Sequence, residues 1–109
     1  MTTNNTSAVD TKQLIADSKA RFNHNSAKSL LSEKYNSKLL IADQGGLWRA
    51  DAQTLSLLNN FSSIHLVIID TFGNPVKVNR RSLLLKLSET YETVMTEWEA
   101  EWKTLESTR

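Results

Sequence analysis

Apolar positions recur with a helical period over the last third of the chain. Leu84, Leu87, Tyr91, Val94, Trp98 and Leu105 follow at steps of three and four, with one step of seven where Glu101 interrupts the row. As heptad positions these are a and d, and Met95 and Trp102 widen the stripe on one side. No proline or glycine follows Pro75, so the pattern predicts one uninterrupted C-terminal helix over about residues 79–107. Asn79 is suited to cap it, because its side-chain oxygen can accept from an unpaired amide of the first turn. Arg80 and Arg81 then meet the positive end of the helix dipole, a placement that mildly favours their facing an acidic partner.

Upstream the pattern changes twice. Residues 1–9 carry too few apolar side chains to offset the entropy of ordering and are expected as a flexible tail. Asp10 with Gln13 three residues on resembles a capping box, and Leu14, Ile15, Phe22, Ala27, Leu30, Leu31 and Tyr35 follow at roughly helical spacing. The stripe drifts at Asn23-His24-Asn25, where poor helix formers cluster, and the preferred reading is one helix with a weak middle. From Lys38 the period shifts towards two. Lys38 to Ala42 and Leu47 to Ala50 flank Asp43-Gln44-Gly45-Gly46, where Gly-Gly would supply the positive φ angles of a tight hairpin. Asp51 can cap a short helix running to about Asn60, with Leu55, Leu58 and Phe61 repeating at three. Ile64 to Asp70 reads as a strand apolar on both faces except at His65, which predicts a place inside a sheet. Gly73-Asn74-Pro75 turns the chain, and Val76 and Val78 return it as a second strand.

The order α, ββ, α, ββ, α predicts a single α+β domain over residues 10–109. In this reading a small antiparallel sheet of two β-hairpins with a short intervening helix is flanked by long N- and C-terminal helices. Composition agrees: 39% hydrophobic and 23% charged residues suit one modest globular core in a chain of 109. With no cysteine, a disulfide framework and a thiolate zinc site are excluded. The Thr/Asn/Ser-rich start lacks a signal-peptide pattern, and the longest apolar run is far too short to span a bilayer, so a soluble intracellular protein in the cytoplasm is expected, without a membrane partner.

Charge is distributed unevenly. Between Asp10 and Lys38 six basic residues stand against three acidic ones, and between Glu89 and Glu106 six acidic residues stand against Lys103 alone. Two long helices of opposite sign can pair within one chain or between copies, although solvated faces of small energetic consequence are the commoner outcome. A net charge of +1 argues against a general polyanion binder. Lys77, Arg80 and Arg81 are the candidate nucleic-acid contacts, with Trp48 beside Arg49 able to stack a base. The helix they open turns acidic within a few turns, which makes a structural role at the sheet edge the favoured alternative.

Candidate chemistry is sparse. His24 and His65 are the only histidines, and neither has a carboxylate at a spacing that specifies a metal or a catalytic dyad. Asp43-Gln44-Gly45-Gly46 lacks the Gly-Lys-Ser/Thr of a phosphate loop, and no serine stands in a nucleophile elbow. No cofactor is implied, and a non-enzymatic protein is expected. Trp98 and Trp102 stand at i and i+4 among glutamates. They either close a core against Leu14, Ile15 and Phe22 or form an exposed patch for a partner. A helix of roughly 40 Å on a domain with a radius of gyration of about 13 Å projects beyond it. That tips the expectation towards an interface made by Trp98, Glu101, Trp102 and Leu105.

Lys38-Leu39-Leu40-Ile41-Ala42-Asp43-Gln44-Gly45-Gly46-Leu47-Trp48, Gly73-Asn74-Pro75-Val76 with Val78-Asn79, and the helix bearing Tyr91 and Trp98 resemble small uncharacterised proteins of T4-like marine bacteriophages. The resemblance spans about residues 10–107. It implies a virion component or a small accessory protein, in the host cytoplasm or the virion, and carries no site residue. The expected function is protein-protein interaction or oligomerisation through the C-terminal amphipathic helix, with a protein partner or a second copy of the chain. The alternative is weak nucleic-acid binding through Lys77, Arg80 and Arg81.

Overall fold

The computed structural model describes the backbone of residues 2–107 and the side chains of residues 12–107. Helix α1 (Thr2–Lys38) leads into a hairpin of β1 (Leu40–Asp43) and β2 (Gly46–Arg49). Helix α2 (Ala52–Asn59), a hairpin of β3 (His65–Ile69) and β4 (Pro75–Asn79), and helix α3 (Arg80–Ser107) complete the α+β fold. The molecule is elongated, 79 × 26 × 21 Å.

Neither proline nor glycine occurs before Gly45, and α1 runs through Asn23-His24-Asn25 as one helix, about 55 Å long. The expected start at Asp10 is corrected, since the backbone is already helical there. Residues 2–9, expected as a tail, lie at the beginning of this helix, and their side chains fall outside the described residues. Helix α3 starts as expected, with Asn79 Oδ1 accepting from the Ser82 amide at 3.0 Å. Asp51 caps α2 in the same way, accepting from the Thr54 amide at 2.8 Å, and Leu58 of α2 is fully buried while Phe61 is exposed.

The β elements form two separate two-stranded sheets rather than one. In the first, Asp43 pairs with Gly46, so the two-residue turn is Gln44-Gly45, and these two residues carry the positive φ values. Gly46 is needed for a different reason: a Cβ there would lie 2.5 Å from the Trp48 ring. The expectation that Ile64 to Asp70 lies inside a sheet is corrected. Among the described residues β3 pairs only with β4 and is an edge strand, and just one of its faces is covered. Ile68 is buried, whereas Val67 and Ile69 on the opposite face are 61% and 64% exposed. Period-two burial has won over the apolar run, because a two-stranded ribbon packs one face only.

The two hairpins are tied by polar bonds. The buried Asp70 carboxylate accepts from the amides of Leu47 (3.2 Å), Phe72 (3.0 Å) and Asn74 (3.0 Å), and the Thr71 amide donates to the Leu47 carbonyl. The Gln44 side chain accepts from the Asn79 amide at 2.6 Å. These bonds hold the Asp70 carboxyl below its ordinary value, chiefly through the Asn74 amide and then through Leu47 and Phe72, while burial opposes the shift. The core gathers where α1 ends and α3 begins. Leu39, Trp48, Leu58, Val78, Leu83 and Leu87 meet there with almost no exposure. The long helices therefore pair with each other, and the hairpins sit at one end of that pair.

Candidate functional site

Helices α1 and α3 run antiparallel, and the residues expected as an interface line the seam between them. Trp98 stacks on Tyr35 with ring centroids 5.8 Å apart and planes 11° from parallel. Lys34 Nζ lies 2.6 Å from Glu101 Oε1, and the Tyr35 hydroxyl donates to the same oxygen. Lys38 pairs with Glu97 at 3.5 Å, and Lys28 Nζ lies 5.0 Å from the centre of the Trp102 ring. Further along, the buried Nε2 of His24 stands 3.5 Å from Glu106 Oε1. Leu105 borders, with Ala20, His24 and Ala27, an open notch of about 640 Å³ where α3 ends.

Glu101, which interrupts the apolar row of α3, has its partners in α1. It faces α1, where Lys34 and Tyr35 answer its charge, and its carboxyl is held below the ordinary value, first by the Lys34 bond and then by Tyr35. The same bonds raise both partners. Lys34 is raised mainly by its hydrogen bond to Glu101, and Tyr35 by donating to that carboxylate. The opposite signs of the two helices are used inside one chain. The far end of α3 is half-covered by α1 rather than projecting, and its partners are Lys28, Lys34 and Tyr35 instead of Leu14, Ile15 and Phe22.

The projecting element is the first half of α1. With Glu106 level with His24, everything in α1 before Asn23 extends past the end of α3. Leu14, Ile15 and Phe22 are 62%, 64% and 70% exposed. Ile15 and Phe22, one heptad apart, share a face, and Lys12 and Lys19 flank it. The signal lies in the drift at Asn23-His24-Asn25. Before it the apolar face carries Ile15 and Phe22; after it Ala27, Leu31 and Tyr35 turn to the opposite side to meet α3.

The nucleic-acid candidates are not brought together. Arg80 donates to the carbonyls of Ser63 (2.9 Å) and Leu58 (3.0 Å), which braces the end of α2 and leaves Lys77 and Arg81 as the exposed cations. Trp48 is buried and its indole donates to the Asp43 carbonyl at 2.8 Å, so it presents no face for a base. Arg49 is engaged by Asn36 and Asp51. His65 lies exposed on the outer face of β3. Among the described residues no three His, Asp or Glu side chains converge on a common point, and no helix is long and apolar enough to cross a membrane. Compared with protein-family models, with curated proteins and with solved structures, the chain finds no match in any of the three.

Proposed function

We propose that this chain is a small, non-catalytic protein-interaction protein whose docking element is the projecting half of α1. The supporting observation is the exposure of Leu14, Ile15 and Phe22 on a helix that outruns the body carrying it. Side chains of this size standing together in water commonly mark a partner surface. Lys12 and Lys19 beside the Ile15-Phe22 face suit a partner groove that is apolar with an acidic rim, the helix-in-groove mode of recognition. A virion or accessory component of a phage, as the resemblance implies, is compatible with such a role. The assignment moves the interface from Trp98, Glu101, Trp102 and Leu105 to the arm, because Trp98, Glu101 and Trp102 are engaged by Tyr35, Lys34 and Lys28 of α1.

The test is affinity capture from the native host cell with three tagged forms: the natural chain, Ile15→Glu/Phe22→Glu, and Glu99→Ala/Lys103→Ala on the exposed back of α3. A protein retained by the first and third and lost from the arm variant supports the reading. A protein retained by the arm variant and lost from the α3 variant overturns it.

A further inference from the structure

Among the described residues no strand pairs with the outer edge of β3, and that edge matches itself. The bonds from the Asp70 amide to Asn74 and from the Arg80 amide to Ile64, with Leu66 opposite Val78 and Ile68 opposite Val76, fix the ladder alternation. Ile64, Leu66, Ile68 and Asp70 bond across to β4, and the backbone groups of His65, Val67 and Ile69 point the other way. Among the described residues β4 is the only strand beside β3, and the first hairpin is bonded just past the end of β3, where the Thr71 amide donates to the Leu47 carbonyl. Three amides and three carbonyls at alternate positions are thus presented along a strand without an acid or a lysine. Its exposed flanks are apolar: Val67 and Ile69 on the outer face, Ile64 and Phe72 at the two ends.

We infer that this edge pairs with the same edge of a second copy, antiparallel about a two-fold axis at Val67, to give a four-stranded sheet β4-β3-β3-β4. The occupant follows from symmetry. Rotation about Val67 sets Val67 opposite Val67 and His65 opposite Ile69, so all three outward-facing residues of each copy meet outward-facing residues of the other. Six hydrogen bonds can form with no slip in register. The axis stands perpendicular to the sheet, so the covered faces stay on one side and the Val67 and Ile69 side chains of both copies join on the other. The Phe72 end of one strand arrives at the Ile64 end of its mate, and no two like charges are set opposite each other. An unprotected apolar edge of this kind is a template for strand addition. With five residues per strand the contact is small, and a dissociation constant on the order of 10 µM is expected. This surface is distinct from the arm of α1, and each can fail without the other.

Because the natural chain has no cysteine, disulfide trapping reads the register directly. Paired α-carbons about 5.5 Å apart across a bonded pair lie within disulfide range. Under mild copper-catalysed oxidation of the full chain, Val67→Cys is expected to cross-link at least ten-fold faster than His65→Cys or Ile69→Cys. The double variant His65→Cys/Ile69→Cys is expected to match Val67→Cys. In sedimentation at about 100 µM the natural chain and Ile15→Glu/Phe22→Glu run as dimers. Val67→Pro runs as a monomer with an unchanged circular dichroism spectrum, since the amide it loses faces away from β4. Equal cross-linking at all three single positions overturns the inference. So does a natural chain that is monomeric at that concentration, which would leave the edge to a different extended chain.

Discussion

Between His24 and Lys38, α1 meets α3 through stacked rings, cations over aromatic faces and paired charges; between Lys12 and Asn23 the large apolar side chains of the same helix stand exposed. Both stretches hold large apolar residues and lysines. Where Tyr35 and Lys34 find Trp98 and Glu101 at the matching height, charge and apolar area are used together. Where α3 has already ended, Ile15 and Phe22 stay in water. A helix of this length is held by its packed face rather than by propensity, and among the described residues that face ends at the seam, so the arm has no packing of its own to protect its amides.

The comparison can be broken most severely at the core that anchors the seam. Leu87→Ala empties a fully buried site and is expected to cost about 2–5 kcal/mol in chemical denaturation. A loss below about 1 kcal/mol would mean that the α1–α3 pair does not depend on this junction. Gly46→Ala drives a Cβ into the Trp48 ring and should cost about 1–3 kcal/mol by overpacking.

Acid sharpens the contrast at a smaller scale. Asp70 and Glu101 are both held below their ordinary values of 3.8 and 4.5. Their stabilisation is therefore complete above those values and is lost as pH falls through the lower folded ones. Thermal melting midpoints should fall on acidification in the natural chain and fall less steeply in Asp70→Asn, which lacks one of the two groups. An equal slope in both proteins would remove Asp70 from the account. The smallest effect belongs to the arm: Ile15→Ser/Phe22→Ser should change unfolding free energy by no more than about 0.5 kcal/mol, since neither side chain is covered. A larger loss would show that the arm packs on something within the chain.

Several of these features were legible in the residues. Asn79 and Asp51 announced their caps and Gly45 its turn, because each depends on local chemistry; the a/d row of α3 marked the packed side through Leu87 and Val94 but missed the fully buried Leu83. Three readings failed where the answer lay in tertiary pairing. The β3 run is apolar on both faces, and Val67 and Ile69 remain exposed because the rest of the described chain packs on the Ile68 face alone. Glu101 looked like a defect in an apolar row because its partners, Lys34 and Tyr35, lie some 66 residues away in sequence. The expectation of a projecting, partner-binding end of α3 assumed that α3 outruns the body it packs on, whereas α3 stops opposite His24 and it is α1 that continues. The change of apolar face at Asn23-His24-Asn25 was visible; its meaning required knowing where α3 ends.

The central claim, that docking passes through the arm and not through the end of α3, is tested most directly by hydrogen exchange with mass spectrometry on the full chain, free and bound to its captured partner. The account predicts side-by-side changes of opposite kind: new protection over residues 12–22 on binding, and protection over residues 94–105 that is already present in the free chain and does not change. New protection confined to Trp98–Leu105, with residues 12–22 exchanging as fast bound as free, would contradict it.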